Sequence, residues 1–477
     1  MCSPHGRLLR VRFGSLHVYL LTGTRNVQKF FRSSRSFNFE NLVILVTQKI
    51  LGLPRADAEK LSEDNSGRGA TPFGEVGQRG RIWQKIVDIS HANLHNKESL
   101  CNFSDRWISE FLTNIEAIGP RSREEWIEVP IYEFVRRPML FASVVTIMGP
   151  RFLEECKTVE EDLWAFDRAF VTLLVGAPRF LCRQGWDARN RLLAAISRWL
   201  ARAWDEFDWQ DEKAKSLEWE ENFGHKIVRE RELALAAYGL SLDGRATFEF
   251  GLLWASVVNS VPATGWVLIQ ILRNPDLYHR VRAEIRAADM VTVDKSTKKT
   301  HVNLTKLDSL PLLLSVYLEC LRLYMTIIIT RTLRTDLEMD GYTLRAGNNI
   351  ITPSCLAHYN ETIWSTPEHP ADAFWAERFL HKAGESEKKD PSKKDPGDFF
   401  PFGGGLNICP GRHRGKAEIL SAVALLLVVF DFDFVHYVDS NGRPTSKGPE
   451  HFNIEEHEVR GVAQPDRDVV VRMRRAE

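Results

Sequence analysis

The sequence has no apolar run long enough to cross a membrane. Its most apolar segment, residues 419–430 (ILSAVALLLVVF), falls short of the roughly 18 residues that a membrane-spanning helix requires. The first residues, MCSPHGRLLRVRFG, contain neither the apolar core nor the small-residue cleavage site of a secretory signal. We therefore predict that this chain contains no transmembrane anchor and that it could be soluble.

A charge bias and paired cysteines are missing as well. Lys+Arg and Asp+Glu balance at 63 each, so no net field favours a nucleic acid partner. The seven cysteines are scattered and none forms a C-x-x-C pair, which argues against a zinc ribbon or a disulfide framework. With 44% apolar and 26% charged residues, the composition is that of an ordinary folded protein. We expect a folded protein of a reducing compartment that does not bind nucleic acid.

What the sequence contains is mainly helical periodicity. Apolar residues at helical spacing dominate from residue 82 to about 238. A long helix is predicted over 247–273, ending at Asn274-Pro275, because the residue before proline disfavours helix. Another helix is predicted over 309–324. The charged, proline-containing residues 381–398 predict a solvated loop.

Strand patterns are confined to the two ends of the chain. Residues 8–22 alternate across a Phe-Gly-Ser turn and predict a hairpin, and Asp340-Gly341 predicts a second turn. Further strands are predicted at 327–335, 341–352, 430–437 and 466–474. The prediction is a mainly α fold with a minor β part in one domain, 1–477. Within it, 8–60 and 327–380 would be mostly β, and 82–325 and 399–430 mostly helical.

One loop stands out from this pattern. The stretch FFPFGGGLNICPGR (399–412) places a cysteine behind three consecutive glycines and before an apolar helix. Glycines lose much conformational entropy when ordered, so they indicate an unusual backbone path or a close neighbour. A surface loop with an inert cysteine is one interpretation. A loop that lies against a flat cofactor and offers it a thiolate ligand is the other.

Charged residues inside apolar segments favour the second interpretation. Glu319 and Arg322 lie three residues apart in SVYLECLRLYM, where charges are costly unless they are paired. Arg378 lies among aromatic residues in FWAERF, and it could complete a buried Glu–Arg–Arg network that clamps the glycine loop. An ordinary surface pair and a snorkelling arginine are the alternatives.

In order and spacing these pieces resemble the haem-thiolate superfamily, the cytochromes P-450, from about residue 8 to the end. The family's loop pattern Phe-x-x-Gly-x-x-x-Cys-x-Gly, its Glu-x-x-Arg and its aromatic-x-x-x-Arg-Phe segment are all present. The matching residues are Phe402, Gly405, Cys409 and Gly411, then Glu319 and Arg322, then Arg378, with Glu418 also in its usual place.

The resemblance implies a haem b cofactor with an axial thiolate from Cys409. The residues expected to contact it are Phe402, Gly403, Gly405, Gly411, Arg331 and His91. Arg331 stands where relatives hold a haem propionate. His91 is the weaker candidate, since a lone histidine is more often a packed or surface residue. Asn407, which is uncharged, stands where relatives often have Arg or His.

The family's usual partners and location follow from the same resemblance. We expect a monomer that receives electrons from a flavoprotein of the NADPH–cytochrome P-450 reductase type. The basic residues Arg412, His413, Arg414 and Lys416 could dock an acidic partner, or they could belong to a solvated helix start. Eukaryotic members begin with an anchor and a proline-rich hinge that this sequence does not match. We therefore expect a truncated form of a protein that in full length lies on the cytoplasmic face of the endoplasmic reticulum membrane.

The long helix departs from most relatives. Where they carry Ala-Gly-x-Asp/Glu-Thr, this chain has Asn259 for the glycine, Val261 for the acid and Pro262 for the threonine. A proline inside a helix costs about 3 kcal/mol unless a kink relieves it, and it would free the carbonyl of Val258. We expect Asn259, Pro262 and Thr264 to form the oxygen pocket as the catalytic residues. Back-bonding within the helix is the alternative for Asn259 and Thr264.

The string LLWASxxNxxPATxW resembles one branch of the family, the sterol 7α- and 12α-hydroxylases and prostacyclin synthase. This resemblance implies a monooxygenase acting on a large apolar substrate such as a sterol, triterpenoid or other lipid, with Trp254 and residues 327–329 as walls. The branch also suggests an isomerase or dehydratase of an endoperoxide or hydroperoxide. A haem-binding protein without enzymatic activity is the third hypothesis.

Overall fold

The structure, a computed structural model, describes residues 6–13, 16–293, 300–380, 397–449 and 460–476. The chain divides into two compact units. The first unit comprises Met1–Ser36, Phe111–Met139 and Asn259–Glu477, and the second comprises Phe37–Glu110 and Leu140–Val258. The single domain expected from the sequence stays a prediction.

Helices make up most of the described chain. They are α1 (Thr24–Arg32), α2 (Glu40–Val46), α3 (Arg55–Ser62), α4 (Ile82–Leu94), α5 (Lys97–Ile118), α6 (Ile131–Met148), α7 (Pro150–Glu155), α8 (Val159–Arg168), α9 (Phe170–Leu174), α10 (Arg183–Glu206), α11 (Glu212–Ser216), α12 (Lys226–Tyr238), α13 (Leu242–Val257), α14 (Ser260–Leu272), α15 (Pro275–Ala287), α16 (Pro311–Tyr324), α17 (Cys355–His358), α18 (Glu361–Trp364) and α19 (Arg412–Val429).

The strands are short and lie mostly near the ends of the chain. They are β1 (Leu8–Phe13), β2 (Leu16–Leu21), β3 (Phe37–Asn38), β4 (Ile127–Pro130), β5 (Trp219–Glu220), β6 (Gly224–His225), β7 (Val291–Val293), β8 (Thr300–Val302), β9 (Met325–Leu333), β10 (Leu337–Met339), β11 (Tyr342–Leu344), β12 (Asn349–Pro353), β13 (Phe430–Asp439), β14 (Pro444–Thr445), β15 (Arg460–Val462) and β16 (Arg467–Arg475).

Two sheets of the first unit collect most of these strands. One has the order β1-β2-β12-β9-β15, and the other has the order β14-β13-β16-β4. The predicted hairpin is confirmed, with Leu8 opposite Leu21 in an antiparallel pair. Its turn, residues 14–15, lies outside the described residues, as does most of the predicted loop 381–398.

The region 8–60 differs from its prediction of mostly β structure. After the hairpin, α1, α2 and α3 occupy most of the residues up to 60. In α1 the apolar side chains Val27, Phe30 and Phe31 are buried at positions i, i+3 and i+4, which is the spacing of a helix face. The residues between them, Gln28 and Lys29, are polar, so the apolar face is narrow.

The core of the first unit is formed by three apolar helices. α14 contacts both α16 and α19, and every residue of α14 is buried. The ring of Trp266 on α14 stacks on Tyr324 at the end of α16, with centroids 3.7 Å apart. These helices carry or flank the residues that the sequence singled out, so the candidate site is built on rigid elements.

The predicted helix over 247–273 is interrupted. α13 ends at Val257 and α14 begins at Ser260, with Val258 and Asn259 between them in a turn. Pro262 is thus the third residue of α14, a first-turn position whose N–H has no intrahelical acceptor. The helical hydrogen bonding is thus interrupted before the proline, and the proline does not bend a continuous helix.

Among the described residues, the stretch Leu242–Leu272 is long and apolar enough to cross a membrane. However, 72% of its most apolar window is buried within the protein.

Candidate active site

The glycine loop is a closed turn in front of α19. The amide of Cys409 donates to the carbonyl of Phe402 over 3.0 Å, and the amide of Ile408 donates to Gly405 over 3.3 Å. A single 3₁₀ turn, Gly405–Asn407, lies between these ends. Cys409 is half-buried, and α19 begins three residues later. The loop therefore holds the cysteine sulfur in place through its main chain.

The glycines of this loop are required for different reasons. Gly403 and Gly405 have φ of +71° and +67°, a conformation that disfavours side chains. A Cβ on Gly405 would also overlap the hydroxyl of Ser34, and a Cβ on Gly404 would lie 2.6 Å from the ring of Phe31. A Cβ on Gly403 would meet only Ile329, at 3.7 Å. Close contact with the end of α1, which the sequence did not reveal, thus explains part of the glycine run.

The environment of the cysteine suits a metal-bound thiolate. Burial raises the pKa of the Cys409 thiol, while the Gly411 amide and the charge of Arg412 act in the opposite direction. A bound cation would reverse the balance, because it stabilises the thiolate directly. Among the described residues no three His, Cys, Asp or Glu side chains converge on one point. A metal held here would therefore bring most of its ligands with it, as an iron porphyrin does.

Glu319, Arg322 and Arg378 form one buried network. Arg322 donates to both carboxylate oxygens of Glu319 over 2.8 Å, and both side chains are fully buried. Nε of Arg378 donates to the same carboxylate over 2.8 Å. The surface-pair interpretation is therefore wrong. The arginines also donate to main-chain carbonyls, of His358 and Ala371 for Arg322, and of Trp364, Pro370 and Ala373 for Arg378.

A histidine that the sequence analysis did not consider connects this network to the loop. His358 accepts the Arg322 hydrogen bond through its carbonyl over 2.7 Å, and its Nε2 accepts the amide of Phe400 over 3.1 Å. The ring is completely buried, and burial together with the charge of Arg322 lowers its pKa to about 3. The imidazole is therefore neutral. No local pattern distinguished His358 from the other histidines.

Several polar atoms at or near the loop are buried without a hydrogen-bond partner among the described residues. They include Oδ1 of Asn407, the hydroxyl of Tyr317 on α16 and Nδ1 of His358. The charge of Cys409 contributes to the raised pKa of Tyr317, after burial, so the phenol lies within electrostatic reach of the sulfur. Orphaned buried polar atoms are rare in proteins and indicate a missing ligand or water.

The two predicted propionate partners lie in different surroundings. Arg331 is buried in β9, and its Nη1 donates to the carbonyl of Thr330 over 2.7 Å. His91 belongs to α4 of the second unit, where it is exposed and stacks on His95 with centroids 4.6 Å apart. Arg331 is thus in the unit that contains the glycine loop. The roles of both residues stay predictions.

The residues expected to form the oxygen pocket are engaged in hydrogen bonds. Oδ1 of Asn259 accepts the amide of Val462 over 3.0 Å, so its partner lies outside the helix. The hydroxyl of Thr264 donates to the carbonyl of Ser260 over 2.9 Å, which is the back-bonding that we gave as the alternative. The catalytic role of Asn259, Pro262 and Thr264 stays a prediction.

The predicted wall residues are divided between the two units. In the second unit, the indole of Trp254 is half-buried, donates to Asp167 over 3.0 Å and stacks on Phe170. In the first unit, Ile329 is buried whereas Ile328 is 45% exposed, as alternation along β9 requires.

A cleft of about 880 Å³ lies on the loop, between α1, α16 and the start of α19. Its lining includes the aromatic residues Phe31, Tyr317 and Phe402 and the basic residues Arg32 and Lys416. Lys416 also pairs with Asp308 over 2.7 Å. Arg414, which we expected to be part of a basic surface, is instead buried and paired with Glu418.

Comparisons with known proteins agree with this geometry. The family model for Cytochrome P450 matches residues 66–447. The chain is 31% identical to Cytochrome P450 monooxygenase calL of Penicillium decumbens over 474 residues, or 98% of this chain and 86% of the relative. It is 30% identical to Cytochrome P450 monooxygenase efuG of Hormonema carpetanum, over 90% of this chain and 78% of the relative. It is also 26% identical to Cytochrome P450 7A1 of Rattus norvegicus, over 90% and 81%.

The chain belongs to the cytochrome P450 family. Its cofactor is accordingly haem with a thiolate ligand, and it is an enzyme of that family. The predicted superfamily and the mainly helical fold with small sheets are confirmed. The site fits the cofactor, since a single thiol stands on a closed glycine loop beside buried polar atoms that lack partners.

Proposed function

We propose that this protein is a monooxygenase that oxidises a large apolar substrate, with Cys409 as the axial ligand of its haem. The arrangement of the sulfur carries the proposal: its loop is closed by the Cys409–Phe402 hydrogen bond and joined through His358 to the buried Glu319 network. A structural cysteine would not need this support, because a buried thiol packs as a small apolar group.

Each part of the loop has a function in this proposal. Haem with a thiolate ligand supplies the activation and cleavage of dioxygen. Cys409 would hold the iron, and the amides of Gly411 and Arg412, which face the sulfur, would moderate its basicity. Gly403 would add no side chain to the space that the cofactor needs, and Arg331 would neutralise a propionate.

We assign the oxygen pocket to the start of α14. Because Oδ1 of Asn259 is occupied by Val462, its Nδ2 is the group able to donate a hydrogen bond to a ligand. The Thr264 hydroxyl gives its proton to Ser260 and can still accept one. Neither side chain titrates near neutral pH, so protons would reach the oxygen through water rather than through a carboxylic acid.

Apolar burial would govern substrate binding. In the first unit, residues 327–329 of β9 offer aliphatic surface, and in the second unit Trp254 offers aromatic surface. Apolar surface with few polar anchors is typical of proteins that bind lipids. The fungal relatives named above are called monooxygenases, which favours oxygen insertion over isomerisation. A sterol, triterpenoid or similar lipid is the substrate class that we propose.

The electron donor and the location are part of the same proposal. Arg32, Arg412 and Lys416 line the cleft on the loop together with one acidic residue, Asp308, which pairs with Lys416. Positive charge therefore predominates in the lining, and an acidic flavoprotein reductase would dock there. In the second unit, Phe180 and Leu181 are 81% and 67% exposed, next to Val175 at 71%. Three large apolar side chains exposed within seven residues of the chain suit contact with a membrane surface, and we propose the cytoplasmic face of the endoplasmic reticulum.

The ferrous carbon-monoxide spectrum tests the proposal. The wild-type protein and a Cys355→Ser control, changed at a buried cysteine far from the loop in sequence, should both show the red-shifted Soret band of a thiolate ligand. Cys409→Ser should lose that band. An unchanged spectrum in Cys409→Ser would overturn the assignment.

An isomerase or dehydratase acting on a peroxide remains the second candidate, because no Asp, Glu or Thr stands at the proton-relay positions Val261 and Pro262. Oxygen consumption with NADPH and a reductase, measured over a panel of sterols and other lipids, selects the monooxygenase. Turnover of an endoperoxide without oxygen or reductase selects the isomerase.

A further inference from the structure

The short strand β15 is attached to two elements of the first unit at once. On one side, the amide of Val462 donates to Oδ1 of Asn259 over 3.0 Å. On the other side, β15 pairs with the start of β9, with Gly461 opposite Thr326 and Val462 opposite Met325. Asn259 is therefore connected to β9 through a strand of three residues.

Gly461 makes this contact possible. A Cβ at Gly461 would overlap Oδ1 of Asn259, and the three atoms nearest to that position all belong to the Asn259 side chain. Because residue 461 has no side chain, the Asn259 side chain can approach the backbone of β15 there. Gly461 also has φ of +157°, which disfavours a side chain independently of this contact.

Ala463, which follows Val462, is also hydrogen-bonded to two elements of the first unit. The carbonyl of Ala463 accepts a hydrogen bond from the indole of Trp266 over 2.7 Å, and its amide donates to the carbonyl of Tyr324 over 3.0 Å. Trp266 stacks on Tyr324, whose hydroxyl accepts from Gln270 over 2.5 Å. The segment Gly461–Ala463 is hence held between α14 and the junction of α16 with β9.

We propose that Asn259 is a positioning residue that sets substrate selectivity by fixing β15, and through it the start of β9, against the helix turn. This inference rests on the proposed function, since β9 continues into residues 327–329, which we assign to the substrate wall. The Asn259 turn lies on the side assigned to oxygen, and the β9 wall lies on the side assigned to the substrate. The hydrogen bond from Val462 to Asn259 connects the two sides through β15 and so fixes the distance between them. That distance decides which atom of a bound substrate is presented to the oxygen.

The chemistry of the contact distinguishes this role from a catalytic one. Val462 needs only an acceptor at the Oδ1 position, so Asn259→Asp should preserve the contact and Asn259→Ala should remove it. A role that used the Nδ2 donor would be lost in both variants. The two substitutions therefore separate positioning from donation to a ligand.

Hydrogen exchange of the haem-loaded protein measures the contact without turnover. In Asn259→Ala the amides of residues 460–463 should exchange on the order of fivefold faster, as expected for one lost hydrogen bond. Asn259→Asp should exchange like the wild type. Asn274→Ala is the matched control, because Asn274 caps α15 through Leu277 over 3.2 Å and does not touch β15.

Ligand binding at the haem measures the consequence. Imidazole senses only the iron, whereas clotrimazole extends into the substrate space. We expect Asn259→Ala to weaken clotrimazole several-fold more than imidazole, with recovery of the clotrimazole affinity in Asn259→Asp. Gly461→Ala should also weaken clotrimazole, through the overlap with Asn259 and through backbone strain at φ +157°. Adding Gly461→Ala to Asn259→Ala should have a smaller effect, because only the backbone strain is then left.

Wild-type exchange rates in Asn259→Ala, or a failure of Asn259→Asp to restore them, would overturn the inference. Equal weakening of imidazole and clotrimazole would do the same. If Asn259→Ala does not retain haem, Gly461→Ala decides between these outcomes. Loss of the thiolate spectrum in the wild-type protein would contradict the proposed function instead, so the two failures are distinguishable.

Discussion

The amide of Phe400 donates a hydrogen bond to Nε2 of His358 over 3.1 Å, and the carbonyl of the same histidine accepts from Arg322 over 2.7 Å. One buried residue thus joins the Glu–Arg–Arg network to the first residues of the cysteine loop. The ring can accept only in its neutral form. The hydrogen bond from Phe400 to the ring therefore requires that His358 stays unprotonated in the folded protein.

We predict that this histidine makes stability fall as the pH is lowered. Burial and the Arg322 charge lower its pKa from 6.5 to about 3, so below pH 6.5 the unfolded chain binds a proton that the folded chain does not. The free energy of unfolding should fall by up to about 1.4 kcal/mol per pH unit from this group. Urea midpoints between pH 7.5 and 5.5 measure the slope.

The control for this prediction is His358→Gln, which can accept from Phe400 but cannot titrate. Its unfolding free energy should vary less over the same pH range. Equal slopes in the two proteins would show that other groups cause the acid sensitivity.

The buried network should be costly to break. Removing one partner leaves an uncompensated charge, so Glu319→Ala should lose about 3–5 kcal/mol of unfolding free energy, together with most haem retention. Arg280→Ala is the control, because it removes a solvent-exposed pair with Glu377 at 2.6 Å and should cost about 1 kcal/mol or less. A similar loss in both variants, measured by chemical denaturation, would contradict the prediction.

The loop glycines should not be equivalent. Gly442 and Gly403 have positive φ without crowding, so alanine at either position should cost about 1–2 kcal/mol. Gly405→Ala adds an overlap with Ser34 and should cost more. The ratio of haem to protein after purification, with Gly442→Ala as the control outside the loop, measures the difference. Ser34→Gly should recover only part of the loss in Gly405→Ala, because a Cβ at residue 405 would also lie 2.7 Å from the carbonyl oxygen of Phe31. No recovery at all would contradict an overlap with Ser34 as a cause.

The positive charge at the cleft should affect the rate at which a reductase delivers electrons to the haem. It should not affect reduction of the haem by a small reagent. Arg32→Glu and Lys416→Glu should slow the reduction of the haem by a flavoprotein reductase, most strongly at low salt, and leave reduction by dithionite unchanged. Stopped-flow absorbance at both salt concentrations measures this. Arg55→Glu, an exposed arginine of the second unit, is the control.

The exposed apolar group of the second unit should contribute to membrane binding. Burying an apolar side chain contributes about 1.5–3 kcal/mol, so the double change Phe180→Ser, Leu181→Ser should weaken binding to lipid vesicles at least tenfold. Co-sedimentation with phosphatidylcholine vesicles measures it. Tyr342→Ser, at a side chain that is 64% exposed in the first unit, should leave binding unchanged.

The sequence alone identified the family, the cysteine loop and the Glu–Arg–Arg residues. These signals are carried by residues close together in the chain or by a fixed order of motifs, and glycines and buried charges are unusual enough to be read locally. The hairpin and the C-terminal strands were predictable too, because alternation has a short period.

Only the tertiary structure decided which polar groups meet. Asn259 is paired with a residue 203 positions away, and His358 accepts from one 42 positions away. Neither partner follows from local periodicity, because hydrogen bonds between distant segments depend on how the helices and sheets fold against one another. The break of the long helix was partly predictable, because Pro262 implied a free carbonyl at Val258, where the helix is interrupted. That Asn259, the next residue, accepts from Val462 was visible only in the tertiary structure.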